Sequence, residues 1–185
     1  SVPVSCIHQF YIVHAESFLH DQLKAPASFA TLFGVGGGGF MTIGQMVEVA
    51  VLGLIPLVAA RASRKSLLAV GLAAYAARMA LFAYWQDSYV ALLSGVALHG
   101  LCFGCFLFVA YMVVDEESPE DVRASAQNLF NLVIVGIGVI VGSKIAGWVG
   151  AWADGDTTRL FSVPMWAALA CLLALLLAYP GGRRR

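Results

Sequence analysis

Charged side chains are scarce in this sequence. They make up 12% of its 185 residues, about half the roughly 25% usual for a water-soluble domain. With 60% hydrophobic residues and a mean hydropathy of +0.82, one soluble domain of this length would leave too much apolar surface exposed. An excess of one charge sign is also missing, since the net charge is zero. Nothing therefore suggests a polyanionic partner, and no stretch has the basic face of a nucleic-acid binder. Cysteine is sparse: Cys6, Cys102, Cys105 and Cys171 outline no disulfide framework. The C-x-x-C of Cys102 and Cys105 has no second pair to complete a zinc site, so both read as small packing residues. No initiating methionine, charged flank or cleavable signal precedes the first apolar run. SVPVSCIHQF reads as entry into the middle of a helix, and we expect the chain to be the C-terminal piece of something longer.

What the sequence does contain is apolar blocks of membrane-spanning length. A transmembrane helix needs about 20 mainly apolar residues. Six such blocks run roughly Val2–His20, Gly38–Ala60, Ser66–Tyr84, Tyr89–Val114, Arg123–Trp152 and Leu160–Tyr179. The first is the most polar and carries Pro3. The connections ASRK, QDS and ADGDTTR are short. In DEESPEDVR, Ser118 has the chemistry of an N-cap, Pro119 suits a first helical turn, and Glu120 and Asp121 suit the positive end of the helix dipole. The fifth helix is therefore expected to begin around Pro119. No soluble domain interrupts the series, so residues 1–185 read as one all-α, polytopic membrane bundle of six transmembrane helices.

Lysine and arginine in the loops predict its orientation. Arg61, Arg64, Lys65, Arg123, Arg183, Arg184 and Arg185 fall on one side, and Lys24 and Arg159 on the other. This places the C-terminus in the cytoplasm.

Two glycine patterns have plain readings. GVGGGG at residues 34–39 fits G-x-G-x-x-G by letters, but that motif needs a preceding strand to bind a dinucleotide. An external turn is expected there. Gly138-x-x-x-Gly142 and Ser143-x-x-x-Gly147 space small residues four apart, which lets helices approach closely in lipid. Tight internal packing is the expectation.

Intramembrane polar groups carry the functional signal. In TIGQMVEV, Gln45 and Glu48 sit three residues apart on one face of an apolar helix. A charge at the bilayer centre costs about 2.5–3.5 kcal/mol on insertion scales, so such groups mark substrate or ion pathways by default. The first block adds Gln9, His14 and Glu16, and the fourth adds His99. Tyr11, Phe103 and Phe106 are aromatics that could stack on a planar ligand. Arg78 and Lys144 lie within spans as possible counter-charges to Glu48, or snorkel towards the surface. No nucleophile–base pair or metal constellation stands out, so we expect neither an enzyme nor a cofactor. A transporter and a non-transporting membrane receptor or structural protein both remain open on these residues.

TIGQMVEVAVLGLIPLVAARASRKSLLAVGLAAYAARMALFAY resembles helices eight and nine of the nucleoside:proton symporters of the major facilitator superfamily. ALHGLCFGCFLFVAYMVVDEESPEDVRASAQNLF is similar to their tenth helix, the next cytoplasmic loop and the start of the eleventh. QFYIVHAESFLHD is similar to the end of their seventh. G-Q-M-x-E and VRASAQ are the most specific stretches. The resemblance implies the C-terminal six-helix half of a twelve-helix transporter, helices seven to twelve, with the seventh truncated at its start. It further implies proton-coupled nucleoside uptake across a bacterial inner membrane, with an N-terminal six-helix half as partner. By position, Gln9, Gln45 and Glu48 match residues that contact the ligand, and Phe103 matches an aromatic beside the base. His99 stands where a tyrosine is found, Ile12 where an asparagine can contact ligand, and Gly104 where an acidic residue can occur. The last two departures remove hydrogen-bonding groups and leave room for another small polar metabolite. Burial disfavours a charged carboxylate and a nearby cation favours it, so Glu48 is the candidate proton-coupling group.

Overall fold

Residues 1–23 and 36–179 are described by a computed structural model of the chain. The described residues form six long helices. These are α1 (Val2–Gln22), α2 (Gly36–Ala59), α3 (Arg64–Tyr84), α4 (Tyr89–Glu117), α5 (Arg123–Ala153) and α6 (Thr157–Ala178). Five of them, α2 to α6, are long and apolar enough to cross a membrane. α1 has the length, 21 residues, but falls short in apolarity. Ser5, His8, Gln9 and His14 of its first two-thirds are turned towards other helices, while Glu16, Ser17, His20, Asp21 and Gln22 at its end are exposed.

Short side chains at the turns explain where most helices begin. Ser63, Ser88 and Asp156 each accept a hydrogen bond from the backbone N–H three residues on, satisfying a first-turn donor of α3, α4 and α6. Between α5 and α6, Asp154 and Gly155 adopt positive φ values of 48° and 82°, which close the turn tightly. The α4–α5 connection differs from the sequence expectation. The Ser118 hydroxyl donates to the Val114 carbonyl at 2.6 Å, so it finishes α4 rather than starting α5. Helix α5 begins at Arg123, after a turn over residues 120–122. A carbonyl left free at the end of α4 outcompeted the amide that an N-cap would have served. In the 34–39 glycine run, Gly36 to Gly39 form the first turn of α2 rather than an external turn, while residues 34 and 35 lie outside the described residues. Gly37 is required there, because a Cβ would lie 1.8 Å from the Glu16 carbonyl oxygen of α1.

Helix α3 is the centre of the bundle. Of its most apolar stretch 61% is buried, against 11% for α2 and 22% for α5 and α6. It packs mainly on α6 and α4, while α1 packs mainly on α5. Burial of Tyr75, Met79, Phe82, Val96 and Phe161 fills this core. The outer faces carry Val49, Leu57, Trp148, Trp152, Trp166 and Leu177, all more than half exposed. Water does not tolerate such a surface, whereas lipid does.

The α1–α5 seam uses the small-residue spacing for internal packing. A Cβ on Gly138 would meet Ser5 Oγ at 2.4 Å, and one on Gly142 would meet Cys6 Cα at 2.9 Å. Close approach allows Ser5 Oγ to donate to the Ile134 carbonyl at 2.6 Å and His14 Nε2 to the Ala146 carbonyl at 3.0 Å. Ile134 lies in a stretch, Leu132–Ile137, where α5 widens into π-helical turns. At Gly147, the other end of the second spacing, a Cβ would meet nothing within 4 Å among the described residues.

Candidate functional site

Where α2 crosses α4, the two backbones touch. A Cβ on Gly44 would lie 2.8 Å from the Val96 carbonyl oxygen and 2.9 Å from His99 Cβ. A Cβ on Gly100 would lie 2.7 Å from the Glu48 backbone nitrogen. The two glycines, one on each helix, therefore remove the side chains that would hold the helices apart. The consequence is polar: His99 Nε2 reaches Glu48 Oε2 at 3.2 Å between the two helices. The Glu48 side chain is 20% exposed and that of His99 only 9%, so the pair opens on one side.

Behind His99 lies Arg78 of α3, fully buried. Its Nη1 stands 3.1 Å from His99 Nδ1. The guanidinium lies 3.8 Å from the Tyr11 ring centroid and 5.1 Å from that of Tyr75, within cation–π range of both. His8 of α1 joins the group, with its ring centroid 5.3 Å from that of His99 and its Nδ1 2.8 Å from Tyr75 Oη. The result is a run of polar groups from α3 through α4 to α2, with α1 alongside.

The sequence-derived residues divide between this group and other places. Glu48 and His99 meet, and Gln45 is exposed one turn before Glu48 on α2. Phe103 is half-buried, with its ring 6.2 Å from that of His8. Gln9 lies on the other seam, where its Nε2 donates to Ser143 Oγ of α5 at 3.1 Å. Arg78 reaches Glu48 only through His99. Lys144 is exposed on α5 and makes no ion pair among the described residues. Tyr11 and Phe106 are 1% and 5% exposed, so they are core rather than a stacking surface for a ligand. His14 is a seam residue bonded to α5, and Glu16 is exposed.

His8 escaped the sequence reading. The available signal was its i, i+3 spacing to Tyr11, which puts both on one face of α1. The neighbouring Gln9 drew attention away from it.

Helix α4 is irregular at this level. It continues through Leu98, whose amide and carbonyl keep their helical hydrogen bonds, and widens into π-helical turns over Phe103–Phe108. Such turns appear frequently at functional sites. Gly104, where the resemblance allows an acid, faces Val51: a Cβ there would lie 2.7 Å from Val51 Cγ1. Ile12 is 41% exposed on α1. Cys102 and Cys105 are buried free thiols in the same helix. A shallow hollow near Tyr111 and Glu116 and an apolar groove between α1, α5 and α6 lie away from Glu48.

Residues 1–181 match the family model described as Nucleoside H+ symporter. Among curated proteins of Escherichia coli (strain K12), the chain is 32% identical over 142 residues to the putative nucleoside transporter YegT. It is 30% identical over 148 residues to the xanthosine permease. These matches cover 75% and 78% of this chain but 31% and 35% of those proteins. The fold is that of a crystal structure of the nucleoside transporter NupG, with a TM-score of 0.78 at 23% identity. That likeness covers 97% of this chain and 47% of the other. The chain thus spans about a third of the length of these curated relatives and about half of the solved structure.

Proposed function

The chain belongs to the nucleoside H+ symporter family, and from that premise we propose that it forms helices seven to twelve of a major facilitator transporter. All six long helices would span the membrane, with the C-terminus cytoplasmic and a second six-helix half facing Gln45 and Glu48. The complete protein would carry a nucleoside together with a proton across a bacterial inner membrane. Inward- and outward-open states would alternate as the two halves rock about a midplane site.

One observation carries this reading: Glu48 is a carboxylate in the middle of an apolar helix, bonded to a histidine and open on one side. This pair presents its acid to a face that the described residues leave partly open. Gln45, exposed one turn away, offers both donor and acceptor to a sugar hydroxyl or a base edge. Phe103 supplies an aromatic surface beside the pair. Gln9 joins through its free amide oxygen, since its nitrogen is engaged by Ser143. In this scheme Glu48 takes its proton from the cavity when that faces outside and returns it when the cavity faces inside. Substrate contact and proton binding then act on the same side chain, which is the linkage a symporter needs.

The test is uptake of a labelled nucleoside into proteoliposomes holding the complete transporter, with an acid-outside pH gradient. We expect accumulation that rises as the outside pH falls, and its loss in Glu48→Gln, which keeps the shape but not the titratable group. Gradient-driven accumulation that survives in Glu48→Gln would sink the coupling role. Gradient-driven uptake of a different polar metabolite, with none of nucleosides, would move the assignment to that substrate, in keeping with Ile12 and Gly104.

A further inference from the structure

Among the described residues Arg78 is the only lysine or arginine that is fully buried. Its Nε and Nη2 have no hydrogen-bond partner among those residues, and no carboxylate touches it directly. A buried cation in that position is expensive unless something offsets it. The tyrosine faces of Tyr11 and Tyr75 contribute, but neither carries a charge. The anion nearest along the hydrogen bonds is Glu48, at the far side of His99.

The chemistry of that path has one solution. A guanidinium has only donors, so His99 Nδ1 must accept from Arg78 with its lone pair. A neutral imidazole that accepts at Nδ1 holds its proton on Nε2. Nε2 is the nitrogen 3.2 Å from Glu48 Oε2. His99 is thereby a donor aimed at the carboxylate, and it cannot take a second proton without losing Arg78.

We infer that Arg78 is a positioning residue of the transport site, acting through His99: it fixes the tautomer that donates to Glu48 and supplies the buried charge that this carboxylate offsets. The inference rests on the reading of Glu48 as the proton-coupling group. When Glu48 takes a proton from the cavity, the His99–Glu48 bond loses its charge assistance. His99 Nε2–H is then released to a substrate acceptor, so proton and substrate engage in order. The titratable and charged groups that face His99 are His8 and Tyr11 of α1, Glu48 of α2 and Arg78 of α3, with Tyr75 of α3 behind them, bonded to His8, and Cys102 one turn further along α4. Of these, only Arg78 and Glu48 bond the two ring nitrogens of His99.

Two readouts on the complete transporter test this. The first is ¹⁵N NMR of histidine-labelled protein in lipid nanodiscs, with the His99 signal assigned by its loss in His99→Gln. We expect a single neutral tautomer protonated at Nε2, and a mixture in Arg78→Met. The second is the pH profile of nucleoside uptake. Arg78→Met should lower uptake by roughly ten- to a hundredfold, the worth of a hydrogen bond to a charged group, and move the pH midpoint. Arg78→Lys, which keeps the charge and one donor, should restore part of both. It also serves where Arg78→Met fails to reach the membrane, by its own midpoint shift and tautomer. A His99 protonated at Nδ1 in the unaltered protein would overturn the inference. So would a pH midpoint and tautomer unchanged in both Arg78 variants while Glu48→Gln abolishes coupling. If Glu48→Gln itself leaves coupling intact, the reading of Glu48 has failed instead, and the tautomer measurement still decides whether Arg78 positions His99.

Discussion

Among the carboxylates that meet a basic side chain, Glu116 and Glu48 sit in opposite surroundings. Glu116 receives both Nε and Nη2 of Arg64 where the ends of α3 and α4 meet water, with the two side chains 46% and 28% exposed. Glu48 meets a single ring nitrogen, deep between α2 and α4, and its counter-charge lies one residue further away. By geometry the Arg64–Glu116 fork is the better ion pair. By consequence it is the lesser, because exposed pairs contribute only about 0–1 kcal/mol. A carboxylate largely buried between two apolar helices has less such freedom, since little water can take over from a lost partner. The difference teaches that in this chain the number of contacts a carboxylate makes says little about its importance. What replaces the contact when it is lost says much more.

The largest effect should come from removing each acid in turn. Glu48→Gln is expected to abolish proton-driven uptake, whereas Glu116→Gln should leave both the rate and its pH dependence within about twofold of the unaltered transporter, as loss of an exposed pair implies. Equal losses from the two would break the contrast.

Next in size is Gly100→Ala. The added methyl would press on the α2 backbone at Glu48 and Val47, and backbone cannot step aside as a side chain can. Overpacking of this kind typically costs about 1–3 kcal/mol, and here it also parts Glu48 from His99. Gly53→Ala is the counterpart on α2, where a Cβ meets nothing within 4 Å among the described residues. It should be neutral or stabilising by up to about 1 kcal/mol through helix propensity. Thermal unfolding in detergent, together with uptake, separates the two.

A smaller effect belongs to the α1–α5 seam. Ser143→Ala removes the acceptor of Gln9 Nε2. Interhelical hydrogen bonds in membranes average about 0.6 kcal/mol, so a small drop in unfolding temperature is expected. If Gln9 contacts substrate, the Michaelis constant for uptake should change while the pH dependence does not.

These contrasts also explain which features were legible in the sequence. The six helices were, because apolar runs and short polar connections are local: the expected blocks lie within about three residues of α1 to α6, although the start of α5 read from its cap chemistry, Pro119, falls before the observed Arg123. Gln45 and Glu48 stood out for the same reason, as polar letters in an apolar helix. Ser118 was misassigned because a serine between two helices can serve either end, and only the free carbonyl of Val114 decides. Tyr11 and Phe106 were misjudged because composition does not say which face of a helix is inward. Arg78 stood out as a possible counter-charge to Glu48, but its path through His99 did not. It joins three helices, and it exists because Gly44 and Gly100 let two of them touch. Nothing in the spacing of residues 48, 78 and 99 announces that meeting.

The smallest effect should be that of Arg64→Met, which completes the comparison from its exposed side. Arg64 belongs to a cluster at the helix ends that includes Lys65, whose Nζ donates to the Leu176 and Tyr179 carbonyls at 2.8 and 2.7 Å. Arg123 also lies near there, 3.9 Å from Asp115. With Lys65 still tying α3 to the end of α6, loss of Arg64 leaves the helix packing in place, and water solvates Glu116. The expected cost is therefore about 0–1 kcal/mol. It should shrink further in high salt, where exposed charges are screened and the buried path is not. Unfolding of Arg64→Met at low and high salt, beside Arg78→Met under the same conditions, measures this. A salt-independent loss in Arg64→Met as large as that in Arg78→Met would show that the helix-end pair, too, is held out of reach of water, and the distinction between the two carboxylates would fall.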